Sequence, residues 1–145
     1  MSTPDGPQTT GDFHVYDTTL RDGAQQEGLN LSVADKLSIA RQLDGLGVGY
    51  IEGGWPGANP KDTEFFRRAA EGELALEHAT LTAFGMTRSA KLAADGDPQL
   101  QALLDARTDV ICLVGKSWGY HVDEALGVPR QTNLDMVRES VAHLV

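Results

Sequence analysis

The stretch Val48-Gly49-Tyr50-Ile51-Glu52-Gly53-Gly54-Trp55-Pro56-Gly57, followed by Asn59-Pro60 and then Phe65, Phe66 and Ala69, decides the fold class. Val48 to Glu52 has the residue types of a short strand. Gly53 to Gly57 turns the chain, Asn59 supplies an N-cap, and Pro60 sits where the first helical residue needs no amide hydrogen. The apolar residues that follow give the helix a face to lay on a sheet. Strand, glycine turn and capped helix make one βα unit.

The same sequence of signals recurs on both sides. Upstream, Phe13 to Asp17 reads as a strand, followed by a long turn to Leu31 and a helix with Ser32 as N-cap, Asp35 as its capping-box partner and Gly47 as a stop. Leu37, Ala40, Leu43 and Leu46 form the predicted sheet-facing stripe of that helix. Downstream, Ala79 to Phe84 is a third strand, and Asp97-Pro98 opens a helix carrying Leu100, Leu103 and Leu104. Asp109 to Val114 is a fourth strand, apolar enough to be covered on both faces. A loop is predicted from Gly115 to Gln131, then a last helix bearing Leu134, Val137, Val141 and Leu144.

Strands spaced roughly 30 to 36 residues apart are what parallel βα units require. Four such units are half of an eight-unit barrel, which takes about 250 residues. A doubly wound sheet is the alternative on length, but no G-x-G-x-x-G or phosphate-binding glycine-lysine loop is present. Residues 1–12, rich in Pro, Gly, Ser and Thr, read as a flexible lead-in.

With 145 residues, 41% hydrophobic and 23% charged, the composition is that of one globular domain. The net charge of -9 opposes phosphate backbones, which excludes nucleic acid as a partner. No apolar run reaches the roughly 18 to 20 residues of a membrane span, and the start lacks the pattern of a secretory signal, so a cytoplasmic protein is expected. Cys112 is the single cysteine, which excludes an intrachain disulfide; it is expected to pack as a small hydrophobe.

Ligand sites in parallel α/β architectures lie at the carboxyl ends of the strands. There this chain places Asp17-Thr18-Thr19-Leu20-Arg21-Asp22-Gly23-Ala24-Gln25, Glu52, and Lys116-Ser117. Arg21 beside Asp22 sets a permanent cation next to an acceptor-only carboxylate. The pair suits either a strand-end cavity or a loop salt bridge and helix cap. Glu52 suits a general base, a partner for Arg21 or a surface charge. Trp55 and Pro56 shape a loop wall, and Lys116 is either an anion-binding group or a solvated loop lysine.

The stretch Tyr16-Asp17-Thr18-Thr19-Leu20-Arg21-Asp22-Gly23-Ala24-Gln25 resembles the signature of the metal-dependent Claisen-condensing barrels, the family of isopropylmalate, homocitrate and citramalate synthases and hydroxymethylglutaryl-CoA lyase. The likeness continues through Lys36 to Ala40 and Leu46 to Glu52. Glu52 to Asp62, Phe66 to Ala69, Thr82 to Gly85 and Gly115 to Trp118 are most similar to the citramalate synthase branch.

The resemblance implies an α/β fold, the N-terminal half of a TIM barrel over residues 13–145. It implies Asp22 as a ligand of a divalent metal, Mg2+ or Mn2+, and Arg21 as the contact to the keto acid and its developing oxyanion. It also puts Glu52 in the catalytic cavity and Gln25 near the metal, with Leu113 and Lys116 at the keto-acid pocket. The implied reaction condenses acetyl-CoA with pyruvate, in isoleucine biosynthesis, with the cation polarising the ketone. Longer keto acids, as in isopropylmalate or homocitrate synthesis, are the alternative within the family.

The family completes its metal site with a His-x-His pair on a late strand, and His14, His78, His121 and His143 contain no such pair. The remaining ligands and the C-terminal half of the barrel are thus missing from this sequence. The expectation is a truncated chain with little activity alone, which forms homo-oligomers or needs a C-terminal half. A non-catalytic half-barrel assembly module is the other reading, because unpaired outer strands invite association.

Overall fold

Three polar caps set where the principal helices begin. Ser32 opens α1 (Val33–Gly45) through a reciprocal capping box, its hydroxyl accepting from the Asp35 amide while the Asp35 carboxylate accepts from the Ser32 amide. Asn59 caps α2 (Pro60–Arg68) by accepting from the Lys61 amide, and Asp97 caps α3 (Pro98–Asp105) by accepting from Gln99 and Leu100. These elements belong to a computed structural model that describes residues 13–145. The lead-in expected over 1–12 lies outside the described residues.

The strands β1 (Tyr16–Asp17), β2 (Tyr50–Gly54), β3 (Thr80–Met86) and β4 (Val110–Val114) form one sheet in the order β1-β2-β3-β4. All three pairings are parallel. Parallel neighbours in sequence order, each pair joined by a helical crossover, make this the N-terminal half of a TIM barrel.

Partners in a parallel register share a face, and faces alternate along a strand. Ile51, Leu81, Ala83, Ile111 and Leu113 therefore point to the helices, where Ile51 and Ala83 are fully buried with Leu37, Phe65, Phe66, Leu100 and Leu103. Each buried Phe or Leu contributes on the order of 1.5 to 3 kcal/mol. The opposite face, the barrel interior, carries Tyr16, Tyr50, Glu52, Thr82, Phe84 and Cys112.

Several expectations need correction. β1 is two residues long rather than five, because only Tyr16 and Asp17 find partners on β2. β2 runs two residues further than predicted, through a bulge at Glu52/Gly54. Glycine is required there: a Cβ on Gly53 would stand 2.6 Å from the Phe65 ring, and one on Gly54, at φ +145°, would overlap the Asp62 carboxylate. β4 is only partly covered, since it is an outer strand of the described sheet. The stretch expected as a loop contains α4 (Gly119–His121) and a wider helical turn, Val122–Leu126.

The predicted stripes also hold only in part. Leu46 is exposed because it follows the last turn of α1, and Leu104 is on the outer side of α3. In the last helix, α5 (Arg130–Leu144), the buried positions are Asn133, Met136 and Ser140, while Leu134 and Val141 are exposed. Asn133 and Ser140 go inside because their side chains are used: Asn133 donates to the Lys116 carbonyl, and Ser140 accepts from the Arg88 amide and donates to the Met136 carbonyl.

Candidate active site

The carboxyl ends of β1 and β2 build the site. β1 hands its chain directly to a turn in which the Arg21 and Gly23 amides both donate to the Thr18 carbonyl, at 3.1 and 3.0 Å. That turn swings Arg21 back over the barrel interior. Its Nε donates to Glu52 Oε2 at 2.5 Å and its Nη1 to Asp22 Oδ1 at 3.1 Å. The guanidinium lies 4.1 Å above the centre of the Phe84 ring, a cation–π contact. Phe84 is in turn braced edge-on by Trp55.

Glu52 is 1% exposed, so it is not a surface charge. Of the roles open to it from sequence, the geometry is that of a partner for Arg21. Its second oxygen, Oε1, accepts from the Tyr16 hydroxyl at 2.9 Å. Buried carboxylates require such partners. The Tyr16 phenol is held above its ordinary value by loss of water around the hydroxyl and then by the Glu52 carboxylate. The Cys112 thiol lies against both groups and is raised mainly by desolvation. It belongs to this polar cluster on the barrel interior rather than to an apolar core, a correction to the sequence expectation.

Asp22 occupies the cap position of the short turn Gly23–Gln25 but makes no side-chain cap bond. Its side chain is 66% exposed and, among the described residues, its one charged contact is Arg21. Gln25 joins Arg21, Trp55, Asn59 and Asp62 around a cavity of about 210 Å³ at the mouth of the strands. Lys116 follows β4 and contributes its carbonyl to Asn133. Leu113 is not brought to this group: it points to the helix layer, beside Val141 and Leu144.

Beneath the cavity, Lys36 and Asp62 form a buried ion pair, and Asp62 also accepts from the Trp55 amide at 2.8 Å. Burial lowers the Lys36 ammonium, opposed by the Asp62 charge. Sequence reasoning missed this pair, and it missed Tyr16 and Phe84 as neighbours of Arg21. Lys36, four residues ahead of Ala40 and so on the edge of the sheet-facing stripe, was the available signal. For Tyr16 and Phe84, only register across strands reveals the contact.

Among the described residues no three His, Cys, Asp or Glu side chains come close enough to hold a metal ion. A magnesium ion demands near-octahedral oxygen coordination, and Asp22 offers one carboxylate. The described residues therefore do not fit a complete metal site.

The fold is an α/β half-barrel with an arginine–glutamate pair at the strand mouths, and this chain belongs to the HMGL-like family, whose model matches residues 12–144. It is similar to (R)-citramalate synthase of Streptomyces coelicolor, with 61% identity over 132 residues, 91% of this chain and 24% of the relative. (R)-Citramalate synthase of Aquifex aeolicus is 48% identical over 131 residues, 90% of this chain and 24% of that protein. A 2-isopropylmalate synthase of Thermosynechococcus vestitus is 54% identical over 65 residues, which is 45% of this chain and 12% of the relative. The chain spans about a quarter of the length of the curated citramalate synthases it matches.

Proposed function

We propose that this chain is the N-terminal half-barrel of a citramalate synthase, an acyltransferase that condenses acetyl-CoA with pyruvate and water to give citramalate and CoA in isoleucine biosynthesis. The observation that carries this reading is the 61% identity to a citramalate synthase across 91% of the chain. The Arg21–Glu52 pair within that span supports it.

In this reading Arg21 is the group that meets substrate. Nε and Nη1 are committed to Glu52 and Asp22, which leaves the Nη2 edge to face a 2-oxo acid. A base takes a methyl proton from the acetyl thioester, the resulting enolate carbon bonds to the ketone carbon as the C=O π pair moves onto oxygen, Arg21 offsets the negative charge arriving there, and the alkoxide then takes a proton back. Water then cleaves the thioester and releases CoA. Glu52 orients Arg21, Gln25 and Lys116 are assigned to substrate binding, and Asp22 is assigned as one ligand of a divalent cation. The described residues bring no three such ligands together, so the remaining ligands of that cation must come from elsewhere in the complete protein. Residues 13–145 are read as part of the catalytic barrel. Among the described residues no helix is long and apolar enough to cross a membrane, and a cytoplasmic location fits this chemistry.

The local match to a 2-isopropylmalate synthase favours a second reading in which the keto acid is longer. One methylene changes selectivity by only about 1 to 3 kcal/mol, so the pocket decides. The test is CoA release by the complete protein with pyruvate, 2-oxoisovalerate or 2-oxoglutarate. The expected result is a kcat/KM for pyruvate at least about tenfold above the others; a preference for 2-oxoisovalerate or 2-oxoglutarate, or no CoA release with any of them, overturns the reading.

A further inference from the structure

We infer that Tyr16 is a positioning residue for Arg21, acting through Glu52; this rests on the reading of Arg21 as the keto-acid contact. Glu52 sits between two donors, Arg21 Nε on Oε2 and the Tyr16 hydroxyl on Oε1. A carboxylate gripped at one oxygen turns about its terminal torsion, which is broad and two-fold. Gripped at both, it is fixed, and with it the plane of the guanidinium above Phe84.

Three observations single out Tyr16 for this task. Its bond to Glu52 spans two strands whose register places Tyr16 opposite Tyr50, so the phenol reaches diagonally to the carboxylate. Its phenol stays protonated, as a donor must. The other hydroxyl flanking Glu52, Thr82 Oγ1 on β3, is fully buried and bonds to nothing among the described residues. Tyr16 is thus the hydroxyl that holds Glu52. The ring of Tyr50 packs on Tyr16 at 6.0 Å between centres but supplies no bond to Glu52, which separates ring packing from hydrogen bonding.

The experiment compares Tyr16→Phe with Tyr50→Phe in the complete protein, each removing one oxygen. The first readout is kcat/KM for pyruvate and KM for acetyl-CoA; the second, independent of turnover, is the NMR line of the Arg21 Nε–H. A hydrogen bond to a charged group is lost in Y16F, so kcat/KM for pyruvate should fall roughly 10- to 50-fold, with KM for acetyl-CoA unchanged and the Arg21 resonance broadened. Y50F should leave all three unchanged. The inference is overturned by a Y16F protein with unaltered pyruvate kinetics or an unaltered Arg21 resonance, by equal losses in Y16F and Y50F, or by a Y16F chain that does not fold. A wild-type protein that releases no CoA refutes the proposed function alone, and the Arg21 resonance in the two variants then decides the positioning role.

Discussion

Arginine has five N–H donors in a rigid fork, and here the fork is partly spent before any substrate arrives. Glu52 takes Nε, Asp22 takes Nη1, and the Phe84 ring closes the underside. A lysine offers one compact charge and no fork. Arg21→Lys should therefore reduce kcat/KM for pyruvate by about 100-fold, the order expected when two charge-assisted bonds are lost, and steady-state kinetics with pyruvate varied reads this directly. The identity of Arg21, Asp22 and Gln25 as a group was legible in the sequence, since they are adjacent in the chain. Glu52 was also legible as the charged end of a strand, but Tyr16 and Phe84 come from two other strands, and no local pattern names them as neighbours of Arg21.

At the scale of elements, Asp44 shows how one side chain joins a helix to the next strand. It sits in the last turn of α1, and its carboxylate accepts from the amides of Glu77, His78 and Ala79, at 2.9, 2.9 and 2.7 Å, just ahead of β3. Those bonds hold the acid below its ordinary value of 3.8. A depressed folded value means that this stabilisation is complete above about pH 4 and is lost as pH falls through the lower folded value. Urea unfolding at pH 5 and at pH 3 should show a loss of stability in the wild type that is smaller in Asp44→Asn; an identical pH dependence in both would refute the role. Caps at Ser32, Asn59 and Asp97 were readable because each is a contact within three residues. The burial of Asn133 and Ser140 was not, because the partners that justify it lie 17 and 52 residues away.

For the molecule as a whole, the described sheet ends in two strands with unpaired outer sides, β1 and β4, and the barrel interior between them is open. Tyr16 is 41% exposed on that face. With one carboxylate available to a cation, a polypeptide of residues 1–145 by itself is expected to release no CoA from acetyl-CoA and pyruvate with Mn2+, followed with a thiol reagent; release above the protein-free rate would refute this.

Alternating strand and helix signals, three capped helix starts and the Arg21-Asp22 turn were all determined by the sequence, because each depends on residues within a few positions of one another. Tertiary structure alone decided which face each strand residue meets. It turned Leu113 to the helices, set Cys112 beside Glu52, and gave Tyr16 and Arg21 a shared carboxylate. The physical reason is register: a one-residue shift between parallel strands reverses every side chain, and that shift is set by packing between elements far apart in the chain.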